Sequence, residues 1–391
     1  MSSITALRRI VDTARNHRLS PFREGAFAQR IHHPRVATVI GRALAVCLVW
    51  CFLTGLYSHF QQDPASWMSF PTRPVWLYRV TQGSHVVSGM AAIPLVLAKL
   101  WTVYPRLFSW PIVRNPVHMI ERGSIAVFVA ATLLQLFMGF FNTIKWYVWP
   151  FSFRHTHYWM SWIIVGSLLI HIAVKLPLIH EHWRAARETE ARTSGWSRRG
   201  FLATVSIATA AVVMTSAGQS FTPLGRVAVL APRRPGVGPQ GLPINRTAKA
   251  ARIDPAAVST DWRLEVDGPK PLRLSLSDLN AMPQTEVELP IACVEGWSQN
   301  ARWGGVRIRT LLDRAGARRG DGARVTSLQR AGSYSESELP SEYAWDDDTL
   351  LALRLNGSVL HIDHGYPARI IAPGRPGVLQ TKWVRGLEVR R

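Results

Sequence analysis

The side chain best suited to chemistry in this sequence is the thiol of Cys293, at the head of a segment rich in Trp and Gly. The chain has three cysteines, and the other two, Cys47 and Cys51, lie in a long apolar run near the N-terminus. Cys293 therefore has no disulfide partner in its own part of the chain. A lone thiol of this kind is either an inert core residue or a reactive or metal-binding thiolate.

A second group of candidates consists of histidines in apolar runs. His157 and His171 are fourteen residues apart on one predicted helix, so they share a face and lie about 21 Å apart along the axis. This spacing leaves room for two haems, one near each side of a bilayer. A single His in such a helix is usually a packing residue, but two in register favour haem ligation. His85, followed by Gly89 one turn later, is the candidate partner from another helix.

The composition indicates a membrane protein with basic flanks. Hydrophobic residues make up 47% of the 391 residues, yet the net charge is +21. The basic residues are spread along the chain rather than clustered, which argues against a nucleic-acid-binding protein. Each predicted span is close to the roughly 20 residues that cross a bilayer, and the runs cover residues 36–58, 85–104, 119–141, 158–180 and 200–218.

The loops between these runs predict the orientation. The segments on the N-terminal side hold fourteen Lys or Arg, against four in the opposite loops, so the N-terminus is expected in the cytoplasm and the C-terminal domain outside. Residues 197–202 read Ser-Arg-Arg-Gly-Phe-Leu and resemble a twin-arginine export motif. A doubled Arg is also common as a simple anchor before a membrane helix.

After the fifth apolar run, the composition and the hydrophobic pattern of the chain change. Residues 219–250 are rich in Pro, Gly and Arg and predict a tether outside the membrane. From residue 251, short alternating runs punctuated by Gly and Pro predict a mixed α+β domain. Short helices are expected at 275–280 and 308–314.

Two separate segments of this domain resemble the sulfite oxidase family of molybdenum enzymes. They are residues 293–306, with Cys-Val-Glu-Gly-Trp-Ser followed by Trp-Gly-Gly-Val, and residues 355–389. The match is most similar to the bacterial branch that includes the periplasmic methionine sulfoxide reductase. The resemblance implies that Cys293 ligates molybdenum beside a pterin dithiolene, a suitable role for a soft thiolate.

The same resemblance implies the cofactor-binding positions. In the bacterial branch the residue that matches His364 typically has an amide side chain, so His364 departs from the family pattern. The positions that match the family are Asn245, Arg246, His364, Arg369, Gly377, Val378, Leu379 and Lys382.

The substrate-facing positions are less specific. The sulfite-oxidising branch has an Arg-rich stretch directly after the Cys, and this chain does not. Arg302, nine residues after Cys293, could still face an anionic substrate. Trp297 and Trp303 could wall a pocket for a small neutral or sulfoxide substrate, or belong to the core.

The histidine set resembles the b-type cytochrome subunits of respiratory formate dehydrogenases and nickel hydrogenases. That resemblance implies that His85 and His157 ligate an outer haem b. An inner haem on His171 would need His33 or His118 as its second ligand, and the third alternative is that no inner haem exists.

These observations predict a multi-domain membrane molybdoenzyme of the bacterial cell membrane. Oxygen-atom transfer on a small oxo-substrate at Cys293 would exchange electrons through haem b with a quinone or another redox carrier. Two alternative functions remain: a membrane anchor with a metal-free exported binding module, and a haem-only cytochrome whose exported domain is a structural cap. The sequence does not determine the substrate, the direction of oxygen-atom transfer or the oligomeric state.

The sequence also predicts how the chain is divided. The predicted parts are a basic arm (1–35), an all-α four-helix cytochrome region (36–180), a loop with the fifth span (181–218), a linker (219–250) and the α+β molybdopterin domain (251–391).

Overall fold

The computed structural model describes residues 30–108, 113, 115–183, 197–218, 220 and 224–391. Residues 1–29 of the predicted basic arm and residues 184–196 of the predicted cytoplasmic loop lie outside the described residues. The chain divides into two units: Met1–Phe52 with Ser88–Met214, and Leu53–Val87 with Thr215–Arg391. The second unit thus combines the C-terminal domain with a short stretch from the helical region.

Five long helices occupy the five predicted apolar runs. Among the described residues, these five are long and apolar enough to cross a membrane. The second helix begins two turns before His85, so the expectation that His85 opens this helix is wrong. The helices are α1 (Pro34–Gln62), α2 (Leu77–Val103), α3 (Pro116–Ile144), α4 (Phe153–Trp183) and α5 (Arg198–Ser216).

The core of the first unit is formed by small and branched side chains of three of these helices. Lys99 of α2 lies against this core, and its Nζ donates to the carbonyl of Ala37 at 2.7 Å. Gly41 makes room for the ammonium, since a Cβ there would lie 3.0 Å from Nζ. Lys99 therefore joins α1 to α2. The buried core residues include Val36, Ile40 and Leu44 of α1, Ala92, Leu95 and Val96 of α2, and Phe201 and Val205 of α5.

The C-terminal domain contains two five-stranded sheets. One has the order β2-β1-β10-β5-β6, in which only β1 and β10 run parallel; the other has the order β3-β4-β7-β8, with β9 also paired to β7. The strands are β1 (Arg263–Asp267), β2 (Leu272–Ser275), β3 (Thr285–Ala292), β4 (Ser298–Arg307), β5 (Gly322–Ser327), β6 (Glu336–Leu339), β7 (Leu350–Leu355), β8 (Ser358–Val359), β9 (Arg369–Ile371) and β10 (Val384–Arg390).

Short helices connect these strands. Ser275 and Asp278 form a reciprocal capping box at the start of α7, which satisfies backbone N–H groups of its first turn. Both helices predicted from the sequence, at 275–280 and 308–314, are confirmed within one residue. The helices are α6 (Ala248–Ala251), α7 (Leu276–Ala281), α8 (Ile308–Arg314) and α9 (Ser341–Ala344).

The Pro/Gly-rich stretch predicted as a tether is packed into the domain over residues 236–250. Leu242 is fully buried in the same apolar cluster as Cys293. The side-chain amide of Gln240 donates to the carbonyl of Leu355 at 3.0 Å, and Gln299 donates to the carbonyl of Gly241 at 2.7 Å. The tether expectation is wrong for residues 236–250, because Leu242 is buried in the domain and the amides of Gln240 and Gln299 bond this stretch to β7 and β4.

The stretch 53–87 is also bound to the C-terminal domain by polar contacts. Tyr334 donates to Gln62 at 3.0 Å, and Arg73 pairs with Asp346 at 3.1 Å. Arg79 at the start of α2 donates to Asn300 at 3.0 Å. This stretch was predicted only as a loop between two spans, because pairing over more than 200 positions leaves no local pattern in sequence.

Replacing Leu242 by Ala is expected to lower the free energy of unfolding of the C-terminal domain by about 2–5 kcal/mol, the usual cost of a buried Leu-to-Ala change. Denaturant unfolding of the full chain in detergent measures it. The matched control is Leu230→Ala in the same stretch, since Leu230 is 68% exposed. Equal and small effects of both substitutions would mean that the stretch is not packed.

Candidate functional site

Cys293 opens the tight connection of a β-hairpin. Strands β3 and β4 pair up to Ala292 and Ser298, so residues 293–297 close the hairpin. The N–H of Cys293 donates to the carbonyl of Trp297 at 2.9 Å, and the N–H of Gly296 donates back to the carbonyl of Cys293 at 3.0 Å. Gly296 has φ of +94°, a conformation that favours Gly. The Cys293 turn, residues 293–297, thus has a fixed backbone.

The thiol of Cys293 is buried. Its exposed fraction is 1%, and it belongs to an apolar cluster with Trp297, Trp303 and Leu242. Among the described residues, no group of three or more His, Cys, Asp and Glu side chains could hold a metal ion. A metal on Cys293 would therefore take its other ligands from a cofactor rather than from protein side chains.

A second turn, residues 374–379, lies beside the Cys293 turn. Ala292 and Pro376 form an isolated parallel bridge. Gly377 approaches so closely that a Cβ there would lie 2.8 Å from the carbonyl oxygen of Ala292. Residues Gly377–Leu379 form one turn of 3₁₀ helix. This arrangement brings the predicted residues Gly377, Val378 and Leu379 to the backbone next to Cys293.

Two arginines are buried in this part of the domain. Arg369 and Arg375 are 1% and 4% exposed, and neither forms a salt bridge within 4.0 Å among the described residues, although the charge of Glu338 acts on Arg375. Burial lowers the pKa of Arg369 to about 9 and that of Arg375 to about 10. The shifts reflect the free-energy cost of a charged guanidinium out of water. Buried charges in proteins are usually paired, so these two groups fit a bound anion.

Backbone carbonyls accept some of the hydrogen bonds of the two guanidinium groups. Arg369 donates to the carbonyls of His364 at 3.0 Å and Gln380 at 3.3 Å, and Arg375 donates to the carbonyl of Glu338. The Nε of each arginine, and Nη1 of Arg375, are buried and make no hydrogen bond to described residues. Gln380 also connects the two, because its Nε2 donates to the carbonyl of Arg375 at 3.2 Å.

The remaining predicted cofactor residues meet at the Gly365 turn. A Cβ on Gly365 would lie 3.0 Å from Cβ of Lys382 and 3.1 Å from Cβ of Arg369, so this position needs Gly. The ammonium of Lys382 donates to the carbonyls of Arg246 at 2.9 Å and Asp363 at 2.7 Å. The structure thus joins Arg246, Lys382 and Arg369 around one turn.

Asn245 and His364 contribute to the same region in other ways. The side chain of Asn245 accepts from the N–H of Arg246 at 2.9 Å, and the guanidinium of Arg246 donates to the carbonyl of Ala250 at 2.7 Å. His364 is 1% exposed, and its Nε2 donates to the carbonyl of Pro239 at 2.7 Å. Burial lowers the pKa of His364 to about 4, so the ring is neutral at pH 7.

The predicted substrate-facing residues divide between two faces of β4. Trp303 is fully buried and lies under the guanidinium of Arg369, at 4.9 Å from the ring centroid. Trp297 is buried and donates to the carboxylate of Glu295 at 3.1 Å. Arg302 is exposed, and its guanidinium lies near Gly357. The alternation of β4 therefore directs Arg302 away from the face that carries Trp303.

Comparison with known proteins assigns this domain. Residues 250–391 match the family model of the oxidoreductase molybdopterin binding domain. They form a sulfite oxidase-type molybdopterin-binding domain. The chain is 32% identical to the uncharacterized oxidoreductase YuiH of Bacillus subtilis over 132 residues, which is 33% of this chain and 65% of YuiH.

Two further relatives are named enzymes. The chain is 32% identical to the sulfite oxidase of Gallus gallus, over 34% of this chain and 36% of that protein. It is 28% identical to the NADH nitrate reductase of Solanum lycopersicum, over 34% of this chain and 18% of that protein. The chain spans less than two thirds of the length of each of these three relatives.

The residues of the molybdopterin-binding domain fit the cofactor. A pterin phosphate would satisfy buried guanidinium groups that form no salt bridge among the described residues, and backbone N–H groups of a Gly turn are natural phosphate partners. Arg369, Arg375 and the turn at Gly377 would hold the phosphate end, and Cys293 would supply the thiolate. Bound in this way, the cofactor supplies two-electron oxygen-atom chemistry that no side chain can perform.

The predicted haem ligand His85 belongs to the unit that contains the C-terminal domain. The imidazole Nδ1 of His85 lies 3.2 Å from Oγ1 of Thr54. Gly55 leaves space for this ring, since a Cβ there would lie 2.9 Å from Cε1 of His85. A hydrogen bond on one ring nitrogen is the usual support for a His that binds metal through the other.

The other predicted histidines have aromatic or capping neighbours. His157 stacks on Phe153 at 4.8 Å between centroids, and a Cβ on Gly139 would lie 3.6 Å from its Cε1. His171 stacks on Phe128 at 5.9 Å. Nδ1 of His33 accepts from the N–H of Arg35 at 3.2 Å.

Sequence reasoning missed Arg375, which no family position had marked. Its only signal was an Arg between Gly374 and Pro376 in an otherwise apolar stretch. It also missed Glu295, which is 2% exposed, is bonded to Trp297 and lies 3.6 Å from Arg233. Arg233 lies in the stretch that had been treated as a tether.

Replacing Arg375 by Gln is expected to lower the amount of molybdopterin that stays bound during purification. A hydrogen bond to a charged group contributes roughly 1.5–3 kcal/mol, so the loss corresponds to about a tenfold to hundredfold weaker binding. Pterin content of the purified full chain measures it. Arg385→Gln, at a surface position that is 62% exposed on its side chain, is the control; equal pterin contents would contradict the anion assignment.

Stability is expected to fall as the pH drops from about 6.5 towards 4. The folded-state pKa of His364 lies below its ordinary value, so the unfolded chain binds the proton more readily and stability is lost in this range. Thermal unfolding at pH 7 and pH 4.5 measures the loss. A His364→Asn variant should lose less over the same range, and an unchanged loss would show that other groups are responsible.

Proposed function

We propose that this protein is a membrane-bound molybdenum oxidoreductase that transfers an oxygen atom to or from a small sulfite- or sulfoxide-type substrate. One observation carries the proposal: the buried Cys293 turn lies beside the Gly377 turn and two buried arginines that form no salt bridge among the described residues. An inert structural Cys would not require two such guanidinium groups next to it.

Each residue of the site has a distinct role in this proposal. The Cys293 thiolate is the protein ligand of molybdenum, and the fixed backbone of its turn sets the direction of the sulfur. Arg369 and Arg375 neutralise the pterin phosphate. Trp303 supports Arg369 by a cation–π contact, which is strengthened where water is excluded.

The kind of substrate follows from the charge left over at the site. If both buried arginines bind the phosphate, then the described residues offer no further fully buried guanidinium for an anionic substrate. Arg302 remains a proposed substrate residue, although its exposed position on the other face of β4 gives it no support. We therefore propose a small sulfoxide, rather than sulfite, as the substrate, with Trp297 and Trp303 as the walls of its pocket. Membership of the methionine sulfoxide reductase branch rests on the sequence resemblance.

Haem b on His85 and His157 is the proposed electron carrier, and a quinone is the proposed exchange partner. The contact of His85 with Thr54 supports the assignment, because a His that binds a metal usually has a hydrogen bond on one of its ring nitrogens. An inner haem on His171 and His33 stays an open part of the proposal. The five apolar helices support insertion in a bacterial membrane, with the molybdopterin-binding domain outside the cytoplasm.

A pair of variants tests the two cofactors separately. Cys293→Ser is expected to abolish reduction of a model sulfoxide while leaving the reduced-minus-oxidised spectrum of haem b unchanged. His157→Ala is expected to lose the b-type signal and to retain molybdenum and pterin. The reason is that the thiolate and the imidazole bind different metals.

Two results would contradict the proposal. A wild-type protein without molybdenum and pterin after expression with molybdate would favour a metal-free binding module. Full oxygen-atom transfer by Cys293→Ser would favour a cytochrome with a structural cap.

A further inference from the structure

The stretch 72–86, which includes the start of α2, contacts both turns of the candidate site. It belongs to the same unit as the C-terminal domain. Val75 packs against the apolar cluster that contains Cys293. A Cβ on Gly374, in the second turn, would lie 3.1 Å from the carbonyl oxygen of Thr72. The site is therefore bordered by residues outside the part of the chain that matches the molybdopterin-binding family.

One face of helix α2 lies against the Cys293 turn. Gln82 and Val86 are four residues apart, so they share a face of the helix, and they are 6% and 7% exposed. The side-chain amide of Gln82 donates to the carbonyl of Val294 at 2.8 Å. Val86 packs on Gly296 so tightly that a Cβ on Gly296 would lie 2.6 Å from Cγ2 of Val86. The helix thus reaches the turn through one hydrogen bond and one apolar contact.

Ser220, which follows α5 in the sequence, contacts the same turn from another element. It is buried, and its Oγ donates to the carbonyl of Gly296 at 2.6 Å. A Cβ on Gly83 would lie 3.4 Å from Cβ of Ser220, so Ser220 also packs against α2, next to Gln82. Two neighbouring side chains from outside the matched domain therefore donate to the turn.

These two donors complete the hydrogen bonding of the turn. The backbone of the turn makes two hydrogen bonds of its own, from the N–H of Cys293 to Trp297 and from the N–H of Gly296 to Cys293. Neither bond uses the carbonyls that the two side chains hold. Because a buried carbonyl without a donor is costly, each side chain restrains one peptide group of the turn against rotation.

The amide of Gln82 is retained although part of it has no partner. Its Oε1 is buried and accepts no hydrogen bond from the described residues. An unsatisfied buried acceptor destabilises a fold. An apolar side chain of the same length would fill the space without that cost, so the donor group of Gln82 has a use beyond packing.

We propose that Gln82 and Ser220 are positioning residues of the molybdenum site: their hydrogen bonds hold the peptide groups that follow Cys293 and so fix the direction of its sulfur towards the metal. The inference rests on the proposed function, in which Cys293 is the protein ligand. Both residues act through the backbone of the turn. Groups that orient a ligand in this way also tune the metal that it binds.

The test compares three variants of the full chain in detergent. Gln82→Met keeps the length of the side chain and removes its donor. Ser220→Ala removes the other hydrogen bond to the turn without a change in α2. Thr81→Val is the control on the same helix, since Oγ1 of Thr81 donates to the carbonyls of Leu77 and Tyr78 within the helix.

The first measurement is the Mo(V) electron paramagnetic resonance spectrum of the loaded proteins, with molybdenum and pterin contents determined on the same samples. The spectrum reports the geometry of the metal–sulfur bond, which a change in stability alone does not alter. Gln82→Met and Ser220→Ala are expected to bind molybdenum and to shift the g values. Thr81→Val is expected to give the wild-type spectrum.

The second measurement needs no metal. It is the alkylation rate of the Cys293 thiol in protein expressed without molybdate, followed by mass spectrometry of the peptide. A buried thiol reacts through local opening of the structure around it. The loss of one hydrogen bond to the turn is expected to speed alkylation about twofold to tenfold. The rates at Cys47 and Cys51 should not change, and they serve as internal controls.

Either measurement can overturn the inference. A loaded variant with the wild-type Mo(V) spectrum contradicts the positioning role of the residue that it replaces, and so does an unchanged alkylation rate at Cys293. If Gln82→Met takes up no molybdenum, the spectrum of Ser220→Ala decides. A wild-type protein that binds no molybdenum refutes the proposed function instead, and the alkylation rates then still decide whether the two side chains hold the turn.

Discussion

The burial of positive charge around the Cys293 turn is the constraint on which the rest of the C-terminal domain depends. Arg369 and Arg375 are removed from water without a salt bridge in the described part of the chain, and their lowered pKa values reflect that cost. Backbone carbonyls and the Trp303 ring compensate only part of it. A fold that keeps two such groups is stable with a bound anion and less stable without one, so binding of the cofactor should also stabilise the domain.

The geometry of the site comes from close backbone approaches rather than from a cluster of ligating side chains. Gly377 lies against the carbonyl of Ala292, Gly365 lies between Lys382 and Arg369, and Gly296 lies against Val86. At each position a Cβ would come within about 3 Å of a neighbour. Gly377 and Gly296 thus allow the 374–379 turn and helix α2 to approach the Cys293 turn, and Gly365 allows Lys382 and Arg369 to pack together.

Much of this architecture could be predicted from the sequence, because it depends on local patterns. The five apolar runs correspond to five helices, and the short helix expected at 275–280 corresponds to α7. The residues that resemble the family's cofactor contacts do meet, since Arg246 and Arg369 are both joined to the Gly365 turn through Lys382 and His364. The start of α2, on the other hand, was placed two turns too late, because polar residues before His85 interrupt the apolar run.

The parts that could not be predicted depend on partners far away in the chain. In the sequence, Leu242 looks like a linker residue and Gln82 looks like an ordinary polar residue at the start of a helix. Only the structure shows that Leu242 is buried in the cluster of Cys293 and that Gln82 contacts Val294. The burial of Arg375 could not be predicted from its local sequence, because its neighbours Tyr343 and Glu338 are brought to it by the pairing of β5 with β6. The contact between the start of α2 and the Cys293 turn, both within one unit, is thus a property of the tertiary structure alone.

The most direct measurement of the central claim is molybdenum X-ray absorption on the purified full chain and on its Cys293→Ser variant. The account predicts molybdenum bound in the wild-type protein, with one sulfur neighbour fewer in the variant. An equal number of sulfur neighbours in both proteins would contradict it, and so would a wild-type protein that binds no molybdenum.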